Sequence, residues 1–210
     1  MSATLIAVVQ DLIGLTPYSV GNVAGVALES LLKKRVVAAR EILLAEIARG
    51  DVTLASAELE EVVAIIYRFL RSAQEGAARR NLRLLAQVIA GQSKNSAISA
   101  DEFLYYANLL EPLRHEEILF FGMLIRHWKS TSLISESSEK RCVEAMAATK
   151  RELVPAVVPS EADFAALVGS LTRTGLLTTH PAWDSPMYEP SPLLERIVQM
   201  VDFEAAANNA

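Results

Sequence analysis

Arg68, Arg71, Arg79 and Arg83, with Glu75 among them, fall at three- and four-residue steps through the middle of the chain, and Arg80 flanks them. Gathered on one helix face, they are the chemistry of a site for an anionic ligand, an acidic partner or RNA. The same spacing also describes a solvated face, on which Arg71–Glu75 and Glu75–Arg79 pair at i, i+4. The interrupting acid and the scarcity of aromatic residues favour the solvated face. Glu111 and His115 lie four apart with Glu116 and Glu117 beside them, enough for one divalent ion. No second Glu-x-x-His element accompanies them, and His127 is remote in the chain. Acids at the positive end of a helix explain that cluster without an ion. Cys142 follows Lys140 and Arg141, which could lower a thiol pKa, but no base or orienting partner can be named for it. His180, Trp183, Asp184 and Tyr188 surround a turn and could form an interaction hairpin. "GNVAG" lacks the Lys-Ser/Thr of a phosphate loop and follows a turn rather than a strand. No catalytic residue, cofactor or metal site is therefore assigned, and the expected protein is non-enzymatic.

The elements that must carry these residues are almost all helical. Residues 3–14 read as a short apolar helix ended by Gly14. Ser19 caps a long second helix that stops at Gly50. A third segment follows Ser56 and runs to Gly91, with Val62, Ile65, Ile66, Phe69 and Leu70 at helical spacing and Gly76 able to kink or break it. Ser99 and Glu102 form a capping box for the helix "ADEFLYYANLL". Pro112 fits the first turn of the next helix, over 112–128, and "EEILFFGMLIRHW" is apolar round most of its circumference. Further helices are expected over 139–153 and, capped by Ser160, up to Gly175. After Gly175, "LLTTH", "PAWDSP" and "MYEPS" read as strand, turn and strand, and Pro192 opens a last helix, "PLLERIVQMVDF".

These elements give an all-α fold: a multi-helix bundle over residues 1–111, a winged-helix-like unit carrying a short β-hairpin over 112–204, and a disordered tail over 205–210. The 210 residues suffice for a sizeable core, and the 51% hydrophobic content excludes a largely disordered chain. From Ser160 onward there are two basic and seven acidic residues, which accounts for the whole net charge of −5. That acidity, with no Lys or Arg between Gly175 and Glu195, disfavours nucleic acid as a partner of the hairpin unit. A mean hydropathy of +0.26 suits surfaces that bury against a protein partner or a second copy of the chain. The single cysteine and the lack of a basic leader lead to a cytoplasmic expectation. Seventeen uncharged residues between Asp11 and Glu29, followed by Lys33, Lys34 and Arg35, raise the question of a membrane. Thr16, Pro17, Ser19 and Asn22 argue against a span there, and leave surface contact through residues 1–35 as an alternative.

Several segments, "TPYSVGNVAGVALESLLKKRVVAAREIL", "NLRLLAQVIAG", "SADEFLYYANLLEPLRHEEILFFGMLI", "LVGSLTRTGLL" and "YEPSPLLERIV", resemble the Abi-alpha type of helical proteins from bacterial abortive-infection systems. They cover about two-thirds of the chain, and the middle segment lacks the tryptophan expected before its Leu-Leu-Ala. The resemblance implies a non-enzymatic helical protein connected with phage defence, and it carries over no catalytic residues. The leading expectation is thus a protein-interaction or regulatory module, with a winged-helix regulator binding DNA and a membrane-attached protein as alternatives.

Overall fold

The computed structural model describes residues 23–50, 59–94, 99–131, 137–181 and 186–208. The chain divides into two compact units, the first ending at Pro112 and the second beginning at Leu113.

Four helices build the first unit: α1 (Val23–Gly50), α2 (Leu59–Glu75), α3 (Arg79–Lys94) and α4 (Ala100–Leu110). On α1, Val36, Ala39, Leu43 and Ile47 are buried at three- and four-residue steps and face α3 and α2. On α2 the buried stripe is Val62, Ile65, Ile66, Phe69, Leu70 and Ala73. The segment read as one interrupted helix over 57–91 is two helices. Gly76 takes φ +101, which an L-residue adopts only with strain. The Gly76 N–H donates to the Ala73 carbonyl (3.2 Å) and the Ala77 N–H to the Ser72 carbonyl (2.9 Å), the paired bonds of a Schellman stop. Helix α3 is the centre of the unit, since Leu82, Leu84, Leu85, Ala86, Val88, Ile89 and Ala90 are all buried.

Helix α4 starts as read, with the Ser99 hydroxyl accepting from the Glu102 N–H. The reciprocal half of the capping box is absent. Glu102 instead accepts from Gln92 (3.2 Å) and from the Tyr106 hydroxyl (2.7 Å), while the Glu61 carboxylate accepts from the Ala100 N–H. At the other end, the Asn81 amide donates to the Leu110 and Glu111 carbonyls, both at 3.0 Å. Those carbonyls belong to the last turn of α4 and would otherwise lack partners.

The second unit contains α5 (His115–Thr131), α6 (Ser138–Leu153), α7 (Glu161–Thr172), β1 (Leu177–His180), β2 (Met187–Pro190), α8 (Pro192–Ile197) and α9 (Phe203–Asn208). Helix α5 begins three residues later than Pro112 suggests, because Glu117 supplies the cap by accepting from the Arg114 N–H at 2.8 Å. It buries Ile118, Phe120, Phe121, Leu124 and Trp128, and α6 packs along it. Ser160 caps α7, and Gly175, at φ +73, lets the chain leave it for β1. The two strands pair antiparallel, Leu177 opposite Pro190 and His180 opposite Met187.

The C-terminal end differs from the expectation. The single helix anticipated from Pro192 is two short ones, and residues 205–208, expected to be disordered, are helical. Asp202 caps the second of these through its carboxylate on the Ala205 N–H. Phe203, Ala206 and Ala207 are buried, with the Phe203 ring 5.5 Å from that of Phe121. Alanines expected to lie in a disordered tail therefore supply a packing face. No helix among the described residues is long and apolar enough to cross a membrane. Most of the 12–28 segment behind the membrane question lies outside the described residues.

Candidate functional site

The arginine stripe does not survive as one surface. The stop at Gly76 puts Arg68 and Arg71 on α2, and Arg79, Arg80 and Arg83 on α3. Arg68 turns toward α4, where its guanidinium lies 2.5 Å from Glu111, 2.6 Å from the Ser72 hydroxyl and 3.4 Å from Asn108. Arg71 pairs with Glu75 at 2.7 Å on the surface, as the i, i+4 spacing predicts. That bond holds the Arg71 guanidinium above its ordinary pKa and Glu75 below its own. The second expected pair, Glu75–Arg79, is replaced by the turn between them. Arg83 reaches across to α1, where its Nε is 3.5 Å from the buried Glu46 carboxylate, which also accepts from Arg49 at 2.8 Å. Arg40 on α1 and Arg80 on α3 each hold a buried Nε with no hydrogen-bond partner. Arg40 lies outside the 68–83 stripe, between Ala39 and Glu41, and no local spacing marks it.

The carboxylates considered for a metal are committed elsewhere. Glu111 serves Arg68, Glu116 pairs with Arg114 at 3.0 Å, and Glu117 accepts from Arg114 and from the Ser170 hydroxyl at 3.1 Å. The Nδ1 of His115 is buried without a partner. Among the described residues no three His, Cys, Asp or Glu side chains converge as a ligand set.

In the second unit, α6 presents two titratable clusters. Glu152 accepts from Arg126 at 2.6 Å and meets His127 Nε2 at 2.8 Å, and Arg126 also donates to Glu204 at 2.9 Å. The Arg126 bond, followed by that of His127, holds Glu152 below the ordinary carboxylate range. Arg126 and Glu204 also line a groove between α5 and residues 198–204.

Cys142 is 3% exposed, and its thiol donates to Glu189 at 3.7 Å. The other oxygen of Glu189 lies 2.6 Å from His180 Nε2 across the hairpin. Burial first, and then the negative charge of Glu189, push the thiol above its ordinary pKa. The basic neighbours invoked from sequence act weakly or elsewhere. Arg141 stacks on Trp128, 3.9 Å from the ring centroid, and donates to the Trp128 carbonyl at 3.1 and 3.0 Å. A carboxylate between the thiol and the imidazole is the wrong order for a nucleophile, because it stabilises the protonated thiol. His180 and Tyr188 of the expected interaction hairpin are only partly buried, on β1 and β2, while Trp183 and Asp184 lie outside the described residues.

No family model, curated protein or solved structure matches this chain.

Large apolar side chains are also exposed on α1, at Leu28, Leu31 and Val37. From Leu28 to Arg35 no residue is buried, and the buried stripe of α1 given above starts at Val36. Leu28 and Leu31, 52% and 57% exposed, lie one turn apart, and Lys33 pairs with Glu29 at 2.6 Å beside them.

Proposed function

We propose that this protein is a non-enzymatic interaction module that self-associates through the first half of α1. The supporting observation is that Leu28 and Leu31 are exposed on a helical stretch without a buried residue. An isolated stretch of that length is marginal in water and is stabilised by burying its apolar side chains. Its charges suit a second copy. In an antiparallel pair centred near Leu31, Glu29 of each chain falls level with Lys33 of the other. The polar clusters are consistent with this reading, since each carboxylate described above is matched by a cation or a donor.

DNA is the weaker reading. The order of α5, α6, α7 and the hairpin is that of a winged helix, in which α7 would read bases. The exposed positions of α7, however, are Glu161, Ala162, Asp163, Ala165, Ala166 and Gly169, without a side chain suited to base edges. A cytoplasmic protein of bacterial phage defence, as the Abi-alpha resemblance implies, fits a module of this kind.

Light scattering and sedimentation equilibrium of the full chain test the proposal. A dimer is expected, and the double substitution Leu28→Glu, Leu31→Glu is expected to shift it to monomer with unchanged helical content. A parent chain that stays monomeric at micromolar concentration would refute self-association.

A further inference from the structure

We infer that the seam between α1 and α3 is a binding site for a small soluble phosphate compound, gripped by Arg40 and Arg80. Two cross-links fix the seam. Near one end Arg35 of α1 donates to the carbonyl of Gln74, in the last turn of α2, at 3.1 Å and lies against Gly76, three residues before α3 begins. At the other, Arg83 of α3 meets Glu46 of α1. Between these points α1 rises roughly 16 Å, while the other side of the seam passes from the turn at Gly76 into the first turn of α3. Arg40 and Arg80 both fall inside this interval, on the two sides of the seam.

Both side chains face inward in part. Arg40 lies one turn from Val36 and from Leu43, on the buried face of α1, and Arg80 lies one turn before Arg83, on the side of α3 that reaches α1. The Nε–H of each is shielded from solvent and donates to no acceptor of the protein. A guanidinium N–H buried and unpaired costs free energy that a bound oxyanion would return, and the planar fork suits a phosphate group. The buried carboxylate of Glu46 on the seam is already shared by Arg49 and Arg83. Arg79, exposed at the start of α3, adds a third cation where the helix carries no acid in its first turn. Two arginines at the positive end of a helix repel it, an arrangement that an anion reverses.

The site uses neither Leu28 nor Leu31, so it stands or falls apart from self-association. Titration calorimetry and thermal melting of the full chain with sodium pyrophosphate and with inorganic phosphate, against sodium chloride at matched ionic strength, test it. Saturable binding of pyrophosphate at one site per chain is expected, together with a rise in Tm that chloride does not give. Arg40→Gln and Arg80→Gln are each expected to weaken binding about tenfold, the scale of a lost charge-assisted hydrogen bond. Arg71→Gln, at a guanidinium already held by Glu75, is expected to leave it unchanged. Should a glutamine variant unfold, Arg40→Lys and Arg80→Lys keep the charge, lose the fork, and are expected to weaken binding as well. No saturable binding, equal loss in Arg71→Gln, or capture by anionic lipid vesicles without affinity for free pyrophosphate would each overturn the inference.

Discussion

Gly122 of α5 and Glu204 of α9 approach so closely that a Cβ on residue 122 would sit 2.6 Å from the Glu204 Cγ and 3.1 Å from its backbone nitrogen. Alanine is otherwise favoured over glycine in a helix by about 1 kcal/mol. Gly122→Ala is nevertheless expected to lower stability by about 1–2 kcal/mol, because α9 must shift away from α5. Glu204→Ala is expected to recover only part of that loss, since the backbone contact persists. Urea denaturation of the single and double variants measures both terms, and a stabilised Gly122→Ala would show that α9 does not dock there.

Asn81 joins α3 to the end of α4 through two bonds from one amide. Asn81→Leu preserves size but leaves the Leu110 and Glu111 carbonyls without these donors. A loss of about 2 kcal/mol is expected by chemical denaturation. Asn81→Asp is expected to be worse, since its carboxylate would face two carbonyl oxygens.

Cys142 is expected to resist alkylation. With the thiol raised in pKa by burial and by Glu189, iodoacetamide should modify the native chain at least about tenfold more slowly than the urea-unfolded chain at neutral pH. The sign for stability follows: a raised thiol pKa contributes stability that is complete below the unfolded value and is lost as pH rises through the folded one. Glu189→Gln removes the negative charge and should speed modification in alkaline solution. Rapid labelling of the native chain would show that the thiol is not held as described.

Glu152 behaves in the opposite sense. Its carboxyl is held low by Arg126 and His127, so its contribution is present above the unfolded pKa and fades as pH falls through the lowered folded value. Glu152→Gln should therefore reduce the difference in Tm between neutral and acid solution. An unchanged acid sensitivity would show that the pair is too solvent-screened to matter.

The sequence by itself determined the features set by a few adjacent residues. Helical period, the caps at Ser99 and Ser160, the break at Gly76, the turn at Gly175 and the two strands after it all follow from backbone hydrogen bonds and φ preferences within a handful of positions. The Arg71–Glu75 pair was legible for the same reason. Only the tertiary structure decided where the remaining charges go. Arg68 meets Glu111 forty-three residues away, Arg83 meets Glu46 and Cys142 meets Glu189, and none of these partners is signalled by local spacing. The same holds for Arg40, whose Nε is buried and unpaired, and for the final alanines, beside which Phe203 packs on Phe121. Long, flexible side chains choose among all charges that packing brings within reach, and packing is a property of the whole chain.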